Sequence, residues 1–232
     1  MLNVQAPEKR WTSALCSSEN RASESFRFLG VRRAYTSCMR AAFAFLLNDP
    51  IHNALRKLSV DVHHRYGMGL VGAQLPPHVS LKQPFRISDL PAIEAYFDGF
   101  AATVPPLVLT LMHLDVQMQV QGQQEQVVLW ADVCETPELR SLHQRLNAEL
   151  AQHFADTAAP FDGPAYQFHA TVALAALPVG AHRQILADYG TRRVDLSCVP
   201  RGLALFYYDD DQGAPGSYIT YKVAPVQPRV SA

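Results

Sequence analysis

The sequence repeats one order of secondary-structure elements, and this repeat is the feature that most constrains the fold. From Met39 the hydrophobic pattern predicts strand, helix, strand, helix and strand, and the same order returns after a turn at Gly122. Strands mixed with helices and joined by hairpin turns indicate an α+β fold with mostly antiparallel sheets. We therefore expect two pseudo-symmetric halves, each a mostly antiparallel sheet with helices packed outside.

Helix-start signals and short apolar runs give approximate bounds for these elements. Asp or Thr followed by Pro is typical of a helix start. The predicted helices cover residues 51–66, 89–100, 136–154 and 179–190. The predicted strands cover residues 41–47, 76–85, 107–120, 127–133 and 166–174, with a C-terminal hairpin around "DDQGAPG".

Two of these strands carry the same short motif at equivalent places in the repeat. The stretch "PPHVSLKQPF" contains His78 and Ser80, and "YQFHATVAL" contains His169 and Thr171. Because strand side chains alternate with period two, each histidine shares one strand face with its hydroxyl residue. Nine histidines yield about one H-x-[ST] match by chance. Two matches at the same position of a repeated order are a much more specific signal.

The tandem H-x-[ST] motif, each copy on a strand of a duplicated α+β domain, resembles the 2H phosphoesterase superfamily. Its bacterial members include the LigT-like proteins, which are 2′-5′ RNA ligases or RNA 2′,3′-cyclic phosphodiesterases. The resemblance covers residues 40–224, and "PPHVSLKQPF" is also similar to the form H-x-T-L-K-x-P-F. Two departures are visible. Ser80 replaces the commoner Thr but keeps a hydroxyl, and Ala173 stands where the first motif has Lys82.

The resemblance implies that the two halves form lobes that face a central cleft. It also implies a metal-independent phosphodiesterase that opens 2′,3′-cyclic phosphates at RNA ends or on small nucleotides, or that runs in reverse as a 2′-5′ RNA ligase. His78 and His169 are the expected acid and base, since imidazole has an unperturbed pKa of about 6.5, near working pH. Which histidine has which role stays open. Ser80, Thr171 and Lys82 are expected to bind the phosphate oxygens. No metal and no cofactor are expected.

A nucleotide substrate also needs a flat surface against which its base can stack. We expect Phe85, Trp130 and Tyr218 to contact the base or ribose. Lys222 shares a predicted strand face with Tyr218 and is expected to line the cleft with it. Core packing is the alternative role for each aromatic residue.

Two other functions stay open at this point. The first is a non-catalytic protein that binds RNA ends or nucleotides in the same cleft, although a binder has no need of two groups that titrate near pH 7. The second is a metal-dependent phosphatase with both histidines as ligands. Neither motif strand contains a carboxylate, which disfavours the metal site. The motif does not distinguish tRNA, another RNA, an ADP-ribose cyclic phosphate or a signalling nucleotide as the substrate.

Composition indicates the class of protein. The chain has 232 residues, a formal charge of −1 and 48% hydrophobic residues, which predicts a soluble globular protein that does not depend on bulk phosphate-backbone binding. Its apolar runs are too short to cross a bilayer. Four cysteines without a C-x-x-C pair predict reduced thiols in a cytoplasmic protein. We expect a monomer without an obligate protein partner.

The first 38 residues differ from the rest of the chain. They are rich in Ser, Arg, Ala and Glu and lack sustained apolar periodicity. An organellar presequence and a poorly ordered extension are the two interpretations, and the glutamates favour the extension because presequences are poor in acidic residues. The bilobal domain is then expected to cover residues 39–226, followed by a tail at 227–232.

Overall fold

The computed structural model of the chain describes residues 39–121, 124–159, 161–190, 192–209 and 218–226. The helices in these ranges are α1 (Asp49–Tyr66), α2 (Leu90–Ala101), α3 (Pro137–His153) and α4 (Ala181–Tyr189). The strands are β1 (Met39–Leu46), β2 (His78–Arg86), β3 (Leu109–Gln121), β4 (Gln124–Val133), β5 (His169–Pro178), β6 (Arg193–Cys198), β7 (Gly202–Asp209) and β8 (Ile219–Ala224). Strand β6 is the one of these elements that the sequence pattern does not predict.

The described strands form two antiparallel sheets. The strand order is β2-β1-β7-β8 in the first sheet and β5-β4-β3-β6 in the second. The predicted α+β fold with mostly antiparallel sheets is therefore confirmed. The sheets do not coincide with the two halves of the sequence, because β3 and β4 pair as a hairpin across the midpoint of the chain and both lie in the second sheet.

Side-chain caps fix where α1 and α3 begin, each within a residue or two of the predicted start. At the start of α1, Asn48 Oδ1 accepts a hydrogen bond from Ile51 N at 3.2 Å. At the start of α3, Thr136 Oγ1 accepts from Leu139 N at 3.2 Å. Both helices have proline in the first turn, where no backbone N–H is needed. Helix α1 ends at Gly67, whose φ of 66° favours glycine.

Strand β1 is buried on both faces, which explains the apolar run "AAFAFLL". On one face, Phe43 packs into the main core, with its ring centroid 5.6 Å from that of Phe97 on α2. The opposite face of the first sheet carries a second, smaller apolar cluster: Ala42, Ala44, Leu46, Ala204 and Phe206. We refer to this side of the sheet as the cleft face.

The predicted terminal segments, residues 1–38 and 227–232, lie outside the described residues. Their assignment as an extension and a tail, and the domain bounds of 39–226, stay predictions. Within the described ranges, none of the helices combines the length and the apolar character needed to cross a bilayer.

Candidate active site

The two motif histidines are held in the same way. His78 is the first residue of β2, and His169 is the first residue of β5. In each ring Nδ1 lies 2.8 Å from the carbonyl oxygen two residues earlier, Pro76 O for His78 and Gln167 O for His169. A carbonyl oxygen only accepts, so Nδ1 carries a proton and Nε2 of the neutral ring keeps its lone pair. Each imidazole can therefore exchange a proton through Nε2.

Ser80 and Thr171 follow the histidines by two residues, and both are partly exposed. Ser80 lies opposite Ala44 of the cleft face, and Thr171 lies opposite Trp130 of β4. No described residue forms a hydrogen bond with either hydroxyl group. Both hydroxyls are thus available to donate to a ligand beside the imidazoles.

Strand β2 bulges directly after Ser80. Ser80 pairs with Ala44 of β1, and Lys82 pairs with the adjacent residue Phe43, so Leu81 is the extra residue on β2. A bulge breaks the alternation of side chains, so Lys82 lies opposite Phe43 on the core side of the sheet. Lys82 is 2% exposed, and its Nζ lies 2.5 Å from Asp162 Oδ2. The prediction that Lys82 binds the phosphate is therefore wrong, because its charge is neutralised on the other face.

Strand β5 bulges at the equivalent position. Thr171 lies opposite Trp130, and the next paired residue is Ala173, opposite Leu129, so Val172 is extra. Ala173 is 3% exposed and belongs to the main core. Lys82 and Ala173, which differ between the two motifs, thus both lie on the core side of their sheets, away from the histidines.

The two motif strands lie at the edges of their sheets and contact each other. Side chains from the other part of the chain bind their free backbone carbonyls: Tyr166 Oη donates to Ser80 O at 2.9 Å, His143 Nδ1 lies 2.8 Å from Leu81 O, and Ser59 Oγ donates to Val172 O at 2.7 Å. These hydrogen bonds hold the histidine-bearing strands next to each other.

Sequence reasoning missed the residues that make these bonds. Ser59 and His143 are buried polar residues on the apolar faces of α1 and α3. A polar residue inside a predicted apolar stripe is the signal that identifies such a position, since a buried polar group must find a partner.

The His78 imidazole lies in apolar and positively charged surroundings. Its ring packs edge-on against Phe206, with centroids 4.8 Å apart. Burial lowers the pKa of His78 to about 4, and the positive charges of His169 and Arg56 act in the same direction. His78 is therefore neutral near pH 7, with Nε2 ready to accept a proton. The effect of His169 on this pKa also indicates that the two imidazoles interact.

The His169 imidazole has different surroundings. It stacks on the Trp130 indole at a centroid distance of 4.3 Å. Asp132, the cross-strand partner of His169, accepts a hydrogen bond from Trp130 Nε1 at 2.9 Å and lies 2.9 Å from His113 Nε2. Burial lowers the pKa of His169, but the Asp132 charge opposes this shift. Since an aromatic face and a carboxylate both stabilise imidazolium, His169 is the better proton donor of the pair.

Two of the predicted base-contact residues lie away from the site. Phe85 is 1% exposed and stacks with Phe43 in the main core, so its predicted role is wrong. Lys222 lies opposite Leu205 on the core side of the first sheet, and its Nζ donates to Glu94 Oε1 at 2.8 Å. The prediction that Lys222 lines the cleft is also wrong, because a register shift between β7 and β8 turns it toward α2.

The other two residues that were predicted to contact the base are Trp130 and Tyr218. Trp130 is at the site, but it is 3% exposed and its ring packs against His169. Tyr218 is partly exposed, with its ring centroid 4.0 Å from that of Tyr208. A contact of either residue with a nucleobase stays a prediction.

Comparisons with known proteins agree with this architecture. The family model described as the 2′-5′ RNA ligase superfamily matches residues 47–212, which include both motif strands. The crystal structure of TT0787 of Thermus thermophilus has a TM-score of 0.57 at 15% identity, over 82% of this chain and 99% of that one. E. coli LigT complexed with 3′-AMP has a TM-score of 0.52, with the same identity and coverage. At this identity the two structures indicate a shared fold. No curated protein matches the chain.

Proposed function

Because the chain belongs to the 2′-5′ RNA ligase superfamily, we propose that it is a metal-independent phosphodiesterase that opens 2′,3′-cyclic phosphates at RNA ends or on small nucleotides. The observation that carries the proposal is the matched pair of imidazoles on neighbouring strand edges. Each has Nδ1 fixed by a backbone carbonyl, and two residues further on a hydroxyl group that bonds to no other described residue. Proton exchange at two sites around one phosphate is what opening of a phosphodiester ring requires.

The surroundings of the two rings support a division of labour. His78 is the general base, since burial next to Phe206 favours its neutral form. His169 is the general acid, since Trp130 and Asp132 stabilise its protonated form. The opposite assignment puts the proton on His78, whose surroundings disfavour the protonated form.

The reaction then proceeds by in-line displacement at phosphorus. His78 Nε2 takes a proton from water as the water oxygen forms a bond to phosphorus. The bond from phosphorus to one ribose oxygen breaks, and His169 Nε2 delivers its proton to that oxygen. Ser80 and Thr171 donate hydrogen bonds to the non-bridging oxygens, where negative charge increases in the transition state. When the 5′-hydroxyl of a second RNA replaces water as the nucleophile, the same groups catalyse ligation.

Turnover of adenosine 2′,3′-cyclic phosphate and of an oligoribonucleotide with a cyclic phosphate end, both in EDTA, tests the proposal. We expect His78→Ala and His169→Ala each to lower kcat by about 10²–10⁴-fold, the usual contribution of a general acid or base. His64→Ala is the matched control, because His64 is exposed on α1. Full activity in either motif variant, or loss of wild-type activity in EDTA, contradicts the mechanism. Binding without turnover in the wild type identifies the protein as a non-catalytic nucleotide binder.

A further inference from the structure

A second positively charged group lies next to His78 and has no part in the chemistry proposed above. Arg56 of α1 is partly exposed, and its Nη2 donates to Leu75 O. His78 Nδ1 bonds to the next carbonyl along the chain, Pro76 O. Adjacent residues of one loop therefore accept hydrogen bonds from the guanidinium and from the imidazole, and the Arg56 charge is near enough to lower the pKa of His78.

Within the described residues, Arg56 has no carboxylate partner. Its guanidinium has five N–H donors, and Leu75 O is the one acceptor that they reach in the described part of the chain. Burial lowers the pKa of Arg56, although arginine stays protonated at any pH that the protein tolerates. A partly desolvated guanidinium without a counter-ion is unfavourable unless a ligand supplies the negative charge.

Arg201, the residue before β7, adds a second positive charge near Arg56. His52 lies one turn earlier on the same face of α1 and is neutral near pH 7. Burial lowers the pKa of His52, and the charges of Arg56 and Arg201 lower it further. Asp49 is the acidic group here, but it is 3.7 Å from Arg201 and both side chains are largely exposed. Such a pair is screened by water and leaves the charge of Arg56 uncompensated.

We propose that Arg56 forms a second anion subsite, which binds the 5′-phosphate of the nucleotide whose 2′,3′-cyclic phosphate lies between His78 and His169. The planar guanidinium matches a phosphate group, which it can bind through two parallel hydrogen bonds. Its place beside His78 suits a phosphate on the same nucleotide rather than one several nucleotides away. The inference rests on the proposed function and narrows its substrates to cyclic phosphates that carry a further phosphate on the 5′ side.

The test compares three substrates: adenosine 2′,3′-cyclic phosphate, its 5′-phosphorylated form, and a dinucleotide with a cyclic phosphate end. We expect wild-type kcat/KM to be about 10- to 100-fold higher for the two that carry a 5′-side phosphate, as for gain of a charge-assisted hydrogen bond. A higher kcat/KM for the 5′-phosphorylated mononucleotide than for the dinucleotide identifies a small nucleotide as the substrate. The reverse order identifies an RNA end.

Arg56→Gln removes the charge but can still donate to Leu75 O, and Arg56→Lys keeps the charge. We expect Arg56→Gln to abolish the preference through KM and to change kcat/KM for the unphosphorylated substrate less than about threefold, and Arg56→Lys to retain part of the preference. Arg65→Gln is the control, because Arg65 is on the same helix but exposed and paired with Asp61 at 3.0 Å. An equal loss on all three substrates, or no preference in the wild type, overturns the subsite.

Binding measurements separate failure of the subsite from failure of the proposed function. By calorimetry we expect adenosine 3′,5′-bisphosphate to bind the wild type more tightly than adenosine 3′-monophosphate, and the two to bind Arg56→Gln equally. This comparison needs no turnover. If the enzyme opens the unphosphorylated substrate but the two ligands bind the wild type equally, the subsite is wrong and the proposed function stands.

Discussion

The buried ion pair between Lys82 and Asp162 allows a test of whether Lys82 stabilises the fold or binds the phosphate. Lys82 is 2% exposed and Asp162 6%, and Lys82 Nζ also donates to Asn147 Oδ1 at 2.7 Å. The Asp162 carboxylate has one further partner, Gln83 N at 3.2 Å. Replacement of Lys82 by Met keeps the volume but leaves the carboxylate buried with only that N–H. We expect Lys82→Met to lower the free energy of unfolding by about 3–5 kcal/mol, as when one partner of a buried pair is lost.

Asp162→Asn and the double variant complete a thermodynamic cycle. Asn has no charge to leave unpaired and can still accept from Gln83 N, so we expect the double variant to lose less stability than Lys82→Met alone. The resulting coupling energy should be roughly 1–3 kcal/mol, the range for two side chains in direct contact. Urea denaturation followed by circular dichroism measures each free energy of unfolding.

Activity assays under conditions where each variant is folded decide what Lys82 does. We expect kcat/KM of the double variant to stay within about threefold of wild type. A lysine that stabilised the transition-state phosphate would instead contribute about 10²–10³-fold. Asp162→Asn is the control for displacement of the loop that precedes β5. A loss of about 10²-fold in Lys82→Met and in the double variant, but not in Asp162→Asn, refutes the assignment of Lys82 to the core.

Three further outcomes are expected. Ser80→Ala and Thr171→Ala should each lower kcat by about 10²–10³-fold with a smaller change in KM, since each removes one donor to the transition state, and an unchanged kcat in steady-state assays contradicts that role. The profile of kcat/KM against pH should be bell-shaped. It should rise as His78 loses its proton near pH 4, and it should fall at a pH below 6.5 as His169, whose pKa is lowered, loses its proton. A maximum above pH 7 contradicts the assignment of base and acid. Tyr166→Phe should lower the free energy of unfolding by about 1–3 kcal/mol in urea, because it leaves Ser80 O without its donor, and full stability shows that water replaces the hydroxyl.

The alternation of polar and apolar residues predicts which strand face each motif residue lies on, as far as Ser80 in the first motif and Thr171 in the second. His78 and Ser80 do share the face of β2 opposite the main core, and His169 and Thr171 have equivalent positions on β5. Proline in the first turn, a local signal, also predicted α1, α2 and α3. These features depend on interactions within a few residues.

Features that depend on strand pairing could not be predicted in this way. Lys82 and Lys222 were placed on cleft faces by counting every second residue, but a bulge or register shift intervenes before each of them. A single extra residue reverses the face of the side chains after it, until a second shift restores the alternation, as happens on β2 between Lys82 and Phe85. Phe85 differs, because strict alternation from Ser80 already directs it to the core. Its predicted role came from its aromatic character alone.

The two bulges also explain how a duplicated site becomes asymmetric. The groups proposed to face the phosphate, one imidazole and one hydroxyl from each motif, are equivalent, and Lys82 and Ala173, which differ directly after each bulge, lie in the core. The asymmetry between the two imidazoles therefore comes from residues outside the motifs: Phe206 beside His78, and Trp130 and Asp132 beside His169. Because each motif taken alone permits either role, we expect the direction of proton transfer to depend on these neighbouring residues, and exchange of the motif sequences should leave it unchanged.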